Sequence, residues 1–304
     1  MDELLDLAEE YYERENFEQL SEVCHKILHA SGSRLRYYSE RMLVNNYLGK
    51  ISQINRDFEK ALAYYRKIPM LCLEKRPKAI LQRELAVCYA ELGDLNRAKT
   101  FYKRALRGYD GEDKDISMAN LAGIYLQQHK PKQAIKLFEE ILRLFPTSEI
   151  RDYVLFNLGE SYYLTQKYTR SEKCFREYLD SFASSEEYVK RCHYYLGHIY
   201  QVNKNYQRSN DEYNAFADKS DLEAQGHISR NIAVNYYYLG KYAYSIQEAQ
   251  KAIELGLQPD EHEYALFLTC LSAEKLGMTE LYSSSKNKLL LLNKKSKYLR
   301  QLPS

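Results

Sequence analysis

VLFNLGESYYLTQKYTRSEKCFREYLDSF, Val154 to Phe182, is the stretch whose reading decides the fold. Its first half repeats Leu158 and Tyr162 at helical spacing, with Gly159 between them where a side chain would obstruct. A polar break follows at Thr165 to Lys167. The second half carries Ser171, Phe175, Tyr178 and Leu179 as another stripe of period 3.6. Two amphipathic helices joined by a short polar turn make a hairpin. The small residues Gly159 and Ser171 let the pair approach closely, and the surrounding aromatics fill the seam.

The same unit recurs in different spelling on both sides of this stretch. Naming the two helices of each hairpin A and B, the repeats start near residues 1, 42, 79, 115, 152, 190, 226 and 263. The last six starts are spaced by 36, 37, 38, 36 and 37 residues, a regularity that chance does not supply. Helix A is marked by Leu48-Gly49, Leu85-Ala86, Leu121-Ala122, Leu158-Gly159, Leu196-Gly197 and Ile232-Ala233. Helix B is marked by Ala61, Ala98, Ala134, Ser171, Ser209 and Ser245, each followed by an aromatic or an alanine four residues on. An extra loop, Ser31 to Tyr38, follows the first repeat, and the eighth repeat is degenerate around Cys270, Ala273 and Gly277. The array is expected to span residues 1–292, with residues 293–304 as a basic cap or tail that adds a final capping helix.

Leu-Gly/Ala-x-x-Tyr, then Ala or Ser, then an aromatic four residues on, then Ala-Leu, resembles the tetratricopeptide repeat. Glu84 to Leu106, ELAVCYAELGDLNRAKTFYKRAL, and Asn231 to Ile253, NIAVNYYYLGKYAYSIQEAQKAI, match that pattern closely. The resemblance implies an all-α, right-handed superhelical solenoid of about eight hairpins, with A helices lining a concave groove that binds other proteins. The period is near 37 rather than the 34 usual for the family, and the surplus is expected after helix B, as longer B helices or longer loops.

Composition agrees. Of 304 residues 45% are hydrophobic and 28% charged, a folding rather than a disordered composition. The net charge of +2 argues against a dedicated nucleic-acid binder. There are 30 Tyr and 10 Phe but no Trp, and tyrosine suits a surface that is part core and part contact. The N-terminus is acidic where a secretory signal would be basic, and no apolar run is long enough to span a membrane. The cysteines at 24, 72, 88, 174, 192 and 270 form no CxxC pair, which points to a reducing cytoplasm. The seven histidines form no HExxH; His25 and His29 share a face without a third ligand, and no Gly-rich phosphate loop is present. The sequence therefore predicts neither an enzyme nor a cofactor or metal.

Function is expected on the A-helix face. Asn120, Asn157 and Asn231 each precede the Leu-Gly/Ala pair, and Tyr195 takes that place in the sixth repeat. An amide offers both donor and acceptor to the backbone of an extended peptide. Such a column resembles the asparagine ladders of tetratricopeptide proteins that hold extended segments. The alternative is that each Asn bonds only to a neighbouring helix. Tyr153, Phe156, Tyr163, Tyr194, Tyr237 and Tyr238, with Arg83, Arg191 and Arg230, are placed on the same face, where aromatics and Arg are the residue types of interaction hot spots. A protein or peptide partner is thus expected, with the chain as scaffold or adaptor. The other reading is a structural subunit of a larger assembly, using its convex face. Its acidic start (Asp2, Glu3, Asp6, Glu9, Glu10, Glu13) and basic end (Lys286, Lys288, Lys294, Lys295, Lys297, Arg300) would then allow head-to-tail self-association.

Overall fold

The computed structural model describes residues 1–31, 38–108, 113–183, 185–216 and 221–303. Among the described residues there are sixteen α-helices and no strand. The chain divides into two compact units, residues 1–154 and 155–304. The first holds the hairpins α1 (Asp2–Glu13) with α2 (Phe17–Ser31), α3 (Tyr38–Ile54) with α4 (Phe58–Tyr65), α5 (Lys75–Glu91) with α6 (Leu95–Gly108), and α7 (Lys114–Gln127) with α8 (Pro131–Leu144). The boundary falls inside α9 (Arg151–Leu164), which pairs with α10 (Tyr168–Ser181). The second unit continues with α11 (Glu186–Val202) and α12 (Tyr206–Ala215), α13 (Leu222–Tyr238) and α14 (Tyr242–Glu254), then α15 (Pro259–Lys275) and α16 (Thr279–Leu292). Odd-numbered helices are the A helices.

Every A helix stops in the same way. A residue with positive φ reverses the chain at Glu15, Arg56, Gly93, His129, Gln166, Lys204, Gly240 and Gly277. The amide that follows this residue in the hairpin bonds back to a carbonyl five positions earlier, as Lys130 does to Tyr125, Lys167 to Tyr162 and Asn205 to Tyr200, each at 2.8 Å. This is the glycine-favouring end of a Schellman-type stop. Non-glycine residues pay a steric penalty in it, so Lys204→Gly is expected to raise stability by about 0.5–1 kcal/mol, read as a higher midpoint in urea.

Close approach of A and B explains the small residues. A Cβ added at Gly159 would lie 2.7 Å from the Phe175 ring, and one at Gly197 would lie 2.6 Å from Tyr213; Gly49 meets Tyr65 in the same way. Across the seam the serine of helix B donates to a carbonyl of helix A: Ser171 to Gly159 at 2.8 Å, Ser209 to Gly197 at 2.7 Å and Ser245 to Ala233 at 2.8 Å. The hydroxyl sits where any larger side chain would hold the helices apart. The large aromatics Tyr65, Tyr102, Phe138, Phe175, Tyr178 and Tyr213 are buried and fill these seams.

Two expectations change. The surplus over the family period is not carried by longer B helices. In α5, α11, α13 and α15 it lengthens helix A to 17 residues, and these helices begin about one turn before the expected starts. Where helix A has 14 residues, as in α9, the preceding loop at 145–150 takes up the difference. Among the described residues the C-terminal segment after α16 forms no capping α-helix, only a 3-10 turn at Leu299–Gln301. It is docked rather than loose: Ser296 and Asn293 donate to buried Glu263 at 2.6 and 2.8 Å, and Tyr298 stacks on Phe267 at 5.1 Å. Those two hydrogen bonds hold the Glu263 carboxyl below its usual range. Residues 32–37 of the expected loop at Ser31 to Tyr38 lie outside the described residues.

Candidate interaction face

In residues 155–304 the A helices bring Tyr163 (α9), Arg191, Tyr194 and Tyr195 (α11), and Arg230, Tyr237 and Tyr238 (α13) to partly exposed positions. Most of these side chains already have partners. Tyr163 shares a 3.0 Å hydrogen bond with His198 and touches the Tyr195 ring at 4.7 Å. Burial pushes the Tyr163 hydroxyl up to about 12, and burial followed by the charge of Arg230 pushes His198 below its usual value. Tyr195 stacks on Phe175 at 5.2 Å and donates to Glu160 at 2.6 Å. Tyr194 lies against Tyr213 and Phe216. Tyr238 stands apart: its ring stacks on Tyr206 at 5.1 Å, yet the residue is 61% exposed.

The three arginines are clasps between neighbouring repeats. Arg191 pairs with Glu160 of the preceding repeat at 2.6 Å and covers the Phe156 ring at 4.7 Å. Arg230 pairs with Glu261 of the following repeat, and His227 approaches the same carboxylate at 2.9 Å. In residues 1–154, Arg83 pairs with Asp113 at 2.6 Å and with its neighbour Glu84 at 2.8 Å. These guanidinium groups are held in the fold and not presented as free cations. Pairs of this exposure contribute modestly, and their main effect is orientation.

The asparagine column divides. Asn231 is buried; it donates to the Tyr213 hydroxyl at 3.2 Å and accepts from Arg230 at 2.9 Å. It is a packing residue and leaves the contact set, because a buried hydroxyl on helix B requires a polar partner. Asn120 is half-buried and bonds to the buried Tyr102 hydroxyl, the same pairing three repeats earlier. Asn157 is half-buried with a partner of its own. Phe156 is likewise withdrawn, being 1% exposed beneath Tyr188 at a ring distance of 4.2 Å. Tyr153 is half-buried, its hydroxyl 3.4 Å from where a Cβ on Gly123 would be.

One recurrent device lies outside these expectations. The motif tyrosines of helix A are covered by cations at 5.4–6.0 Å: Tyr89 by Arg66 and Arg97, Tyr125 by Lys103, Tyr162 by Lys167 and Arg170, Tyr200 by Arg176, Tyr236 by Lys241. Each contact contributes about 0.5–1 kcal/mol at such sites. A basic residue at the start of helix B, or late in the preceding one, was the available signal.

No group of His, Cys, Asp and Glu among the described residues is arranged to hold a metal ion. No helix of the described residues is long and apolar enough to cross a membrane. Burial pushes the thiols of Cys24 and Cys192 up to about 12 and those of Cys88 and Cys270 to about 11, so these are packing residues.

Residues 77–147 and 114–184 match the family model described as Tetratricopeptide repeat. Residues 77–184 carry tetratricopeptide repeats. Solved structures agree in fold. A tetratricopeptide protein from Cytophaga hutchinsonii aligns with a TM-score of 0.61 at 14% identity, over 86% of this chain and 98% of that one. PilF of Pseudomonas aeruginosa gives 0.53 at 18%, over 75% and 98%. YrrB, a tetratricopeptide protein with an unusual peptide-binding site, gives 0.50 at 17%, over 59% and 86%. No curated protein sequence matches significantly. Tetratricopeptide repeats generally serve as protein-interaction scaffolds.

Proposed function

We propose that this chain is a non-catalytic adaptor that holds an extended segment of a partner protein on the A-helix face of residues 155–304. The observation that carries this reading is Tyr238, a large aromatic fixed by stacking on Tyr206 and still 61% exposed. A ring held in place before binding loses little rotamer freedom on contact, and its hydroxyl stays available for hydrogen bonding. The half-buried Tyr163, Tyr194, Tyr195 and Tyr237 extend the surface, with Asn157 and Arg191 beside them. Asn120, half-buried in residues 1–154, retains amide capacity for a backbone contact of its own. YrrB, which shares the fold, is described as having a peptide-binding site, and that likeness supports the class of activity.

Site-specific photocrosslinking tests the reading. Benzoylphenylalanine in place of Tyr238 is expected to trap a partner in the source lysate, whereas the same group at the exposed helix-B residue Lys173 should not. Crosslinks to the same partner from Lys173, with none from Tyr238, would refute the A-helix face and favour an assembly subunit that uses its helix-B side.

A further inference from the structure

With Arg83, Arg191 and Arg230 engaged by carboxylates, a free positive charge must be sought elsewhere, and the N-terminus of α5 supplies it. Lys75, Arg76 and Lys78 stand in its first turn, Lys75 and Arg76 exposed and Lys78 partly so. None of the three has a partner among the described residues. Three cations at this end of a helix oppose its macrodipole, and the N-cap residue Glu74 makes no side-chain capping bond. The exposed carboxylate of Glu74 at the N-cap offsets only part of that charge.

Beside the cations runs an apolar cleft of about 500 Å³. Met42 and Leu43 of α3, Ile68 and Leu73 of the loop before α5, and Pro77 and Ile80 of α5 line it, with Arg76 at its rim. Leu43 of α3 is 41% exposed, and Leu71, in the loop between Ile68 and Leu73, is 93% exposed. A volume of this size accepts a few large apolar side chains.

We infer that this cleft is a docking site for an acidic–apolar segment of a partner protein, its leucine- or phenylalanine-sized side chains in the cleft and its carboxylates on Lys75, Arg76 and Lys78. The charge pattern selects the occupant: with one carboxylate, Glu74, against three cations that have no side-chain partner among the described residues, the start of α5 keeps a net positive charge that favours a further carboxylate. A second copy of this chain fits less well. Its acidic stretch is α1, whose apolar residues Leu4, Leu5, Leu7 and Ala8 are committed to packing on their own neighbours. The site stands on residues 39–81 and does not depend on the tyrosine face of residues 155–304.

The test is to pan a phage-displayed library of random short peptides against the full chain, then measure the strongest binder by fluorescence anisotropy. Enriched peptides should combine Asp or Glu with Leu or Phe. The triple variant K75E/R76E/K78E should weaken that peptide about 10- to 100-fold, with the wild-type affinity falling as salt rises. Leu43→Ser should weaken it independently. The triple variant should melt no lower than wild type, because acids in a first turn favour the dipole, so lost binding cannot be read as lost folding. Absence of enrichment, enrichment of neutral or basic peptides, or an affinity untouched by charge reversal would overturn the inference. So would a wild-type dimer in ultracentrifugation that the triple variant dissolves, since the cleft would then belong to a second copy.

Discussion

Truncating Tyr213 to alanine should cost about 3–5 kcal/mol, the usual range for removing a buried aromatic. The ring is 1% exposed, closes over Gly197, packs with Ile228 and Ile232, and meets Tyr194. Chemical denaturation followed by circular dichroism would record the change. Tyr213→Phe separates the two roles of the side chain. It keeps the packing and removes the hydroxyl to which Asn231 donates, so its cost should be about 1 kcal/mol. Asn231→Ala in the same assay should cost more than it does in the Tyr213→Phe background, because in wild type it strands a buried hydroxyl. Strict additivity of the two changes would show that the pair is not coupled.

The second large effect belongs to Glu212 and is a function of pH. This buried carboxylate on α12 pairs with Arg176 of α10 and is 2.8 Å from His193 Nδ1 of α11, so three helices meet on one charge. Burial alone would push Glu212 up, but the His193 hydrogen bond and the Arg176 charge outweigh it and hold the carboxyl below its ordinary value of 4.5. A carboxyl depressed in the folded state stabilises above its unfolded value, and that contribution is lost as pH falls through the folded one. Glu212→Gln should therefore destabilise by about 1–2 kcal/mol at neutral pH, a figure reduced from that of a buried pair because Arg176 remains partly solvated. Below pH 4.5 the gap should narrow as the wild-type carboxyl protonates. A gap that stays constant from neutral pH to acid would assign the loss to shape and not to charge.

How much of this was readable beforehand depends on what reaches each residue. The hairpin, its period and the Gly159–Ser171 seam follow from spacing within a single repeat, where helical geometry is local and the sequence is sufficient. Asn231 was misplaced because its decisive neighbour, Tyr213, sits 18 positions away on the preceding helix B. Projection onto one helix gives a face, but not the side chain that another helix lays over it. The partners of the arginines were hidden for the same reason: the acids that engage Arg83, Arg191 and Arg230 lie 30, 31 and 31 positions away in adjacent repeats. A search for opposite charges at that separation would have paired them. The longer A helices also left a signal, since α11 opens on Glu186 and Glu187, the acids favoured in a first turn.

The serine-to-carbonyl bonds at the hairpin seams reach only 12 positions along the chain, and the arginine clasps reach 30 or 31. An interaction network of such short reach implies low contact order, so little loop entropy stands between the unfolded chain and its first native hairpin. Any hairpin can then serve as a nucleus, with growth proceeding outward by addition of neighbours, as in a one-dimensional lattice. Folding rates should respond weakly to a lesion in one hairpin while another remains available to start the process.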